Sequence, residues 1–280
     1  MLFITGATGA VGSNVIRFLE EKNVSFKALT RRTEKLSKKQ FSNMQIVTGN
    51  LSELDNWETE LKGTDILFLE LLSDPKPILE AAKKYGIKKI VFLSSASINH
   101  ADVETNNNAQ NHLAVENLVK AMNFDYVFIR PESFMRNAVY WSNLFKYAND
   151  VIKWPALKAT YANIHEKDIA EVVTDVLVNF SKYTGEILTL TGSNILSQEE
   201  MLSEIIRQSN PKLRLQEQSI NEFENYMEKF MAREYIDLRI NDWNYSMNND
   251  LTLTDTVLKV TGKEPLTFRE WVSDNLDLFK

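Results

Sequence analysis

The chain contains no cysteine, which excludes disulfides, thiolate metal ligands and a cysteine nucleophile together. It has only three histidines, His100, His112 and His165, so a histidine-rich site is not expected and no metal is assigned. Long apolar runs are missing too: no stretch reaches the about 18 uncharged apolar residues that a membrane-spanning helix needs. The apolar start, Met1 to Ile4, is too short for a signal core, with no basic start and no small-residue cleavage site. A basic excess is absent as well. The net charge of −6 argues against the basic face that nucleic-acid binding normally uses. The expectation is a cytoplasmic protein with neither a membrane nor a nucleic-acid partner.

What is present is an ordinary globular composition, 44% apolar and 25% charged over 280 residues, enough for one large or two modest domains. Glycine is the informative residue. Only nine occur, yet Gly6, Gly9 and Gly12 stand three apart near the N-terminus. They lie in Thr5-Gly6-Ala7-Thr8-Gly9-Ala10-Val11-Gly12, after an apolar run and before a helical pattern carrying Val15, Ile16 and Leu19 on one face. Strand, glycine turn and helix together form the context of a dinucleotide phosphate site. Gly6 would allow the sharp turn, Gly9 close approach of backbone to pyrophosphate, and Gly12 close packing of helix on sheet. The phosphates would meet free N–H groups at the positive end of the helix dipole. The alternative is a loop that only needs positive φ angles.

A second strand, Ser25 to Thr30, ends at Arg31 and Arg32. NAD-preferring sites usually place an acid there for the ribose hydroxyls, whereas arginine accommodates the 2′-phosphate of NADP. The cofactor reading is therefore NADP(H) first and NAD(H) second, with a solvated basic turn as the plain alternative. Further strand-like runs lie at 44–47, 65–71, 89–95, 125–130 and about 187–191. Helical patterns lie between them at 11–22, about 34–40, 53–62, 76–85 and 110–122. This alternation predicts an α/β fold: a doubly wound, mainly parallel sheet with a smaller, mostly helical C-terminal region. Residues 1–131 with about 163–191 are assigned to a nucleotide-binding domain, and 132–162 with 192–280 to a helical substrate or cap region. Capping-box spacing marks helix starts at Asn163/Glu166, Ser197/Glu200, Ser219/Glu222 and Thr267/Glu270.

In an open α/β sheet, ligands bind outside the carboxyl ends of the strands. Those ends supply Leu71, Leu72, Ser94, Ser95, Arg130 and Pro131. Ser94 or Ser95 could bond a substrate carbonyl or the nicotinamide ribose, or simply cap a strand end. His112, Glu116 and Lys120 share one helix face. A glutamate one turn away could hold the imidazole and raise its pKa, making His112 a proton donor. The alternative is a surface ion pair. Phe134, Met135, Tyr140, Trp141 and Tyr161 could line an apolar substrate pocket or belong to the core, with 223–235 as a lid. His165 with Asp168 reads as helix capping.

"GATGAVGSNV", the arginines after the second strand, "VFLSSAS", "IRPESFMRN" and "TLTGSNILSQEE" together resemble the NmrA-like branch of the atypical, extended-type short-chain dehydrogenase/reductases, in the NAD(P)-binding Rossmann superfamily. The likeness spans Leu2 to about Glu200. It implies NADPH-dependent quinone-type, clavine or isoflavone-type reductases, or non-catalytic regulators that sense NADP, and some relatives carry an epimerase label. It also implies a substrate-orienting or backbone-bonding role for Asn137 and an adenine contact for Asn50. The chain departs from the wider pattern at one point: residues 96–125 hold no tyrosine, so the usual Tyr-x-x-x-Lys pair is replaced by His112 and Glu116. Three functions follow. The first is an NADPH-dependent reductase of a small quinone- or carbonyl-type molecule, with His112, Glu116 and Ser95 as catalytic candidates. The second is a non-catalytic NADP(H) sensor with a protein partner, and the third an epimerase-like protein acting on nucleotide sugars.

Overall fold

A computed structural model describes residues 1–37, 41–100 and 103–280. Up to Pro131 strands and helices alternate. The strands are β1 (Leu2–Ile4), β2 (Phe26–Thr30), β3 (Met44–Thr48), β4 (Ile66–Leu69), β5 (Lys89–Leu93) and β6 (Asp125–Pro131). The helices are α1 (Gly12–Glu21), α2 (Thr33–Ser37), α3 (Lys76–Lys84) and α4 (Asn107–Ala121). Then come α5 (Ser142–Lys146), β7 (Val151–Trp154), β8 (Thr160–Tyr161), α6 (Glu166–Val178), α7 (Phe180–Tyr183) and β9 (Ile187–Leu190). The rest holds β10 (Leu196–Ser197), α8 (Gln198–Ser209), β11 (Arg214–Glu217), α9 (Ile220–Met227), α10 (Arg233–Asn248), α11 (Thr256–Thr261) and α12 (Phe268–Asp274).

The chain divides into two compact units. The first comprises 1–131, 166–190 and 255–263. Its seven-stranded sheet has the order β3-β2-β1-β4-β5-β6-β9, parallel throughout. The sequence explains why. β4 (ILFL) is buried on every residue, and Ile90, Val91, Phe92, Val127 and Phe128 are fully inaccessible. Strands apolar on both faces belong in a sheet covered on both sides. Order reverses next to β1, so the open crevice between β1 and β4 lies at the switch point where such sheets bind ligands. Trp57 stacks on Phe3 with ring centroids 5.5 Å apart, and its indole fills the space a side chain at Gly49 would need.

The second unit comprises 132–165, 191–254 and 264–280. Two short ribbons, β8 with β10 and β7 with β11, support helices α8, α9, α10 and α12. Its core holds Met135, Trp141, Leu202, Ile205, Trp271 and Phe279. The boxes at Ser197/Glu200, Ser219/Glu222 and Thr267/Glu270 all form, each worth about 1 kcal/mol to its helix.

Several local expectations are corrected. The helix expected at 53–62 is two short 3₁₀ turns, Leu54–Asn56 and Glu58–Leu61, broken at Trp57 where the indole turns inward. The fourth strand ends at Leu69 rather than 71. Helix α6 starts at Glu166, so Asn163 sits too early to cap it, and its Nδ2 donates to Met201 Sδ at 3.1 Å instead. Residues 255–263, expected with the helical region, cluster with the first unit because α11 packs on α6 and β9 and Lys263 pairs with Glu171. The end of the helix expected at about 34–40, residues 38–40, lies outside the described residues.

Candidate functional site

The first site is built from backbone. At Gly6 the chain turns with φ +63°, a conformation glycine adopts without strain. The N–H of Gly9 donates back to the Gly6 carbonyl at 2.8 Å, and that of Ser13 to the Gly9 carbonyl at 3.1 Å. A methyl at Gly12 would collide with the Gly6 carbonyl, so glycine there lets α1 close onto the turn. Val11 is buried beneath, and the Ala10 carbonyl accepts from the Asn14 side chain at 2.9 Å. Thr5 faces inward: its hydroxyl donates to the Phe68 carbonyl at 2.9 Å and ties β1 to β4.

This turn forms one wall of a cavity of about 540 Å³. Gly6, Arg31, Asn50 and Leu72 line it, as do Thr8 and Glu70, which the sequence reading did not single out. Arg32 is exposed outside it, its N–H bonded to Thr30 Oγ1 at 3.0 Å. Leu71 packs on the apolar core. Glu70 stands out chemically. Its carboxyl occupies the position a side chain at Gly6 would take and lies 3.6 Å from where one at Gly9 would begin. Burial pushes its pKa up to about 7.

Beyond β5 and β6 a buried charged cluster replaces the expected histidine–glutamate pair. Glu116, wholly inaccessible, accepts from Arg130 Nε at 2.9 Å and Nη2 at 2.6 Å, and from the Ser94 hydroxyl at 2.6 Å. Arg130 also donates to Asn99 Oδ1 at 2.6 Å. The bidentate fork commits Arg130 and Ser94 to Glu116; with Pro131, buried at the end of β6, they fall outside the cavity lining. Ser95 caps the following 3₁₀ turn, accepting from the Ser97 N–H at 3.2 Å. Lys120 lies over the Tyr126 and Phe128 rings at 5.5 and 5.3 Å.

His112 overturns its expectation. It is buried, 5.8 Å from the Phe92 ring, and its Nδ1 has no hydrogen-bond partner among the described residues. Burial outweighs the attraction of Glu116 and pulls the imidazole pKa down to about 4. The ring is neutral at neutral pH, the opposite of a charged proton donor.

The second unit contains a larger cavity of about 1260 Å³. Tyr140, Trp141, Trp154, Phe223, Tyr226 and Phe230 contribute aromatic walls. Trp154 anchors them, edge-on to Trp141 at 6.1 Å and to Phe223 at 5.4 Å. Asn137 lines the cavity beside Ser133, to whose hydroxyl its amide donates at 3.0 Å. The 223–235 segment, expected as a lid, supplies lining residues, through Met227, Met231 and Tyr235 as well. Phe134 and Met135 do not: Phe134 bridges to Ile164, and Met135 is held in the core by its N–H bond to the Ile164 carbonyl at 2.9 Å.

The polar lining of this cavity includes Tyr161, Asp242 and Arg239. The Tyr161 hydroxyl donates to Asp242 Oδ2 at 2.8 Å. Burial first, and the carboxylate second, raise the phenol's pKa well above its ordinary value, so it keeps its proton. Arg239 lies 5.3 Å from the Tyr140 ring centroid.

Among the described residues no group of His, Asp or Glu is arranged to hold a metal, and no helix is long and apolar enough to cross a membrane. A family model described as NAD(P)H-binding matches residues 6–179. The chain is 24% identical to a (4-alkanoyl-5-oxo-2,5-dihydrofuran-3-yl)methyl phosphate reductase of Streptomyces griseus, over 100% of this chain and 99% of that one. It is also 24% identical to an NAD(P)H azoreductase of Xenophilus azovorans, with the same coverage. An NADPH-dependent quinone oxidoreductase of Escherichia coli, solved with NADPH, superposes with a TM-score of 0.81 at 20% identity, covering 98% of this chain and 99% of that one.

Proposed function

The chain belongs to the NAD(P)H-binding family, and from that premise we propose that it is of the extended, NmrA-like short-chain dehydrogenase/reductase type and an NADPH-dependent reductase of a small quinone- or carbonyl-type organic molecule. The observation that carries the cofactor choice is Arg31, a cation at the end of β2 lining the same cavity as Gly6, where NAD-preferring sites hold an acid. The residues present fit a dinucleotide: a turn too crowded for any side chain at Gly12, a helix start beyond it and a cation at the cavity edge. When bound, the nicotinamide supplies the hydride.

The protein's own contribution is positioning. Gly6 and Gly9 bring backbone close to the pyrophosphate, Arg31 answers a 2′-phosphate, and Asn50 offers amide contacts to the adenosine end. The aromatic cavity of the second unit suits a planar apolar substrate, with Asn137 and the Tyr161 hydroxyl as hydrogen-bonding groups within it. Quinone-type acceptors ask little of a protein acid, which agrees with a neutral His112 and a Glu116 locked to Arg130. Titration of the purified protein with NADPH and NADH, followed by a quinone and carbonyl panel, tests this reading. Tighter NADPH binding with loss of nicotinamide absorbance on adding a panel member is expected. Binding with no oxidation by any member would overturn the reductase.

A second reading, a non-catalytic NADP(H) sensor, is favoured by the same neutral His112 and by a buried ion pair where the catalytic pair of relatives stands. It predicts NADPH binding, no turnover and capture of a protein partner.

A further inference from the structure

Glu70 is the acid that the glycine turn has no evident use for. β4 runs apolar from Ile66 to Leu69 and delivers Glu70 at the sheet's switch point. The residue's N–H points back to Thr5 Oγ1 at 3.4 Å, which fixes the backbone against the first strand. The carboxyl then lies over the turn, against Gly6 and within van der Waals reach of Gly9. Gly6 and Gly9 are the two residues whose missing side chains open the backbone to a pyrophosphate. Glu70 uses that same opening.

Among the described residues the charged groups around it are few. The turn and the start of α1, from Thr5 to Ser13, carry none. The end of β2 contributes Arg31 to the cavity, the segment after β4 contributes Asp74, and 49–54 faces it with Asn50, Ser52 and apolar side chains. None of them offsets the cost of burying the charge, and burial is the sole cause of the carboxyl's displacement to about 7. A group balanced there is half protonated near neutrality.

We propose that Glu70 is the proton-dependent determinant of dinucleotide affinity in this chain: the pyrophosphate binds with Glu70 protonated, so binding takes up a proton and weakens as pH rises. As the acid, Glu70 donates its O–H to a phosphate oxygen; as the anion, it sets a third negative charge against two on the pyrophosphate, in the same glycine cradle. The proposal rests on the dinucleotide-binding reading of this cavity.

The test is calorimetric titration of the full chain with NADH and with NADPH at pH 6, 7 and 8, each in two buffers of different ionisation heat. NADH lacks the 2′-phosphate, so its own phosphates do not titrate in this range. For the wild type, the dissociation constant should rise about tenfold between pH 6 and 8, with nearly one proton taken up per dinucleotide at pH 8. Glu70→Gln, which keeps a hydrogen-bond donor without the charge, should bind with a pH-independent constant, take up no proton and exceed the wild type at pH 8. Tight wild-type binding with no pH slope and no proton uptake would overturn the proposal and leave the dinucleotide reading standing. So would a slope that survives in Glu70→Gln, or a variant weaker than wild type at every pH. Failure of the wild type to bind either dinucleotide at any pH would overturn the dinucleotide reading and the proposal with it. The wild-type proton count needs no variant, so it decides the matter even if Glu70→Gln does not fold.

Discussion

The two units make their cavities from different materials. In the first, the wall is organised by main chain, the turn at Gly6 and the strand ends of a parallel sheet, with leucines and Arg31, Asn50, Glu70 and Asp74 completing it. In the second, the wall is side chain: nine aromatic residues and three methionines among the lining. A backbone wall has fixed dimensions and suits a ligand part that never changes, such as a pyrophosphate. A wall of tyrosine, phenylalanine and methionine is remodelled by single substitutions and by rotamers, and it suits a variable partner. Polar groups follow the same division. In the first unit Glu116, Arg130 and Ser94 are committed to one another, whereas Arg239 rests on a tyrosine ring and Asp242 accepts from the Tyr161 hydroxyl at 2.8 Å.

The comparison is sharpest where a buried charge loses its partner. Glu116→Ala leaves Arg130 uncompensated inside the first unit, and should lower stability by about 3–5 kcal/mol in chemical denaturation. A loss under about 1 kcal/mol would show that the cluster is not the rigid anchor its geometry implies.

Next in size is a pH effect. The folded-state pKa of His112 is about 4, below its ordinary value of 6.5, so in that window the folded protein binds fewer protons than the unfolded chain. Its stabilisation is complete above about 6.5 and is lost as pH falls towards 4, by up to about 3 kcal/mol. Denaturation midpoints from pH 8 to 4 should fall less steeply for His112→Gln than for the wild type. Equal slopes would assign the acid sensitivity elsewhere.

Arg31→Ala probes the cationic side chain at the edge of the first unit's cavity. It should weaken NADPH binding by roughly tenfold, the worth of about one exposed charge-assisted hydrogen bond, while leaving NADH binding within about twofold. Equal losses for both cofactors would place the 2′-phosphate elsewhere. The smallest effect belongs to the side-chain-built wall: Tyr161→Phe should cost about 1 kcal/mol of stability through the lost bond to Asp242. A cost approaching that of Glu116→Ala would erase the contrast between the units.

What could be read from the sequence follows the same division. The glycine turn was legible because strand, turn and helix are contiguous, and three glycines at fixed spacing record a backbone requirement directly. The 223–235 segment was legible as pocket-related from its aromatics and methionines, of which Tyr226, Phe230 and Tyr235 line the cavity while remaining exposed. His112 and Glu116 were misread because helix spacing describes only α4. The groups that decide their chemistry come from elsewhere: Arg130 on β6, Ser94 beyond β5 and the Phe92 ring. Phe134 and Met135 were misassigned because neighbouring apolar residues on an irregular segment face different ways, and a bridge to Ile164 decided which. Glu70 left only a faint trace, a single acid at the end of an apolar run. Nothing local shows that such an acid lies over glycines 60 residues and more away.

Trp57, stacked on Phe3 and filling the notch at Gly49, has a practical consequence. The chain has five tryptophans, and Trp57 alone belongs to the first unit, while Trp141, Trp154, Trp243 and Trp271 belong to the second. Its indole N–H donates to the carbonyl of Asn50, a lining residue of the cavity beside the glycine turn, at 2.8 Å. Indole emission overlaps the absorption of reduced nicotinamide, so energy transfer from Trp57 gives the first unit a built-in optical gauge of occupancy. Replacing Trp57 with Phe would silence that channel and leave the emission of the second unit's four tryptophans, of which Trp141 and Trp154 line the aromatic cavity.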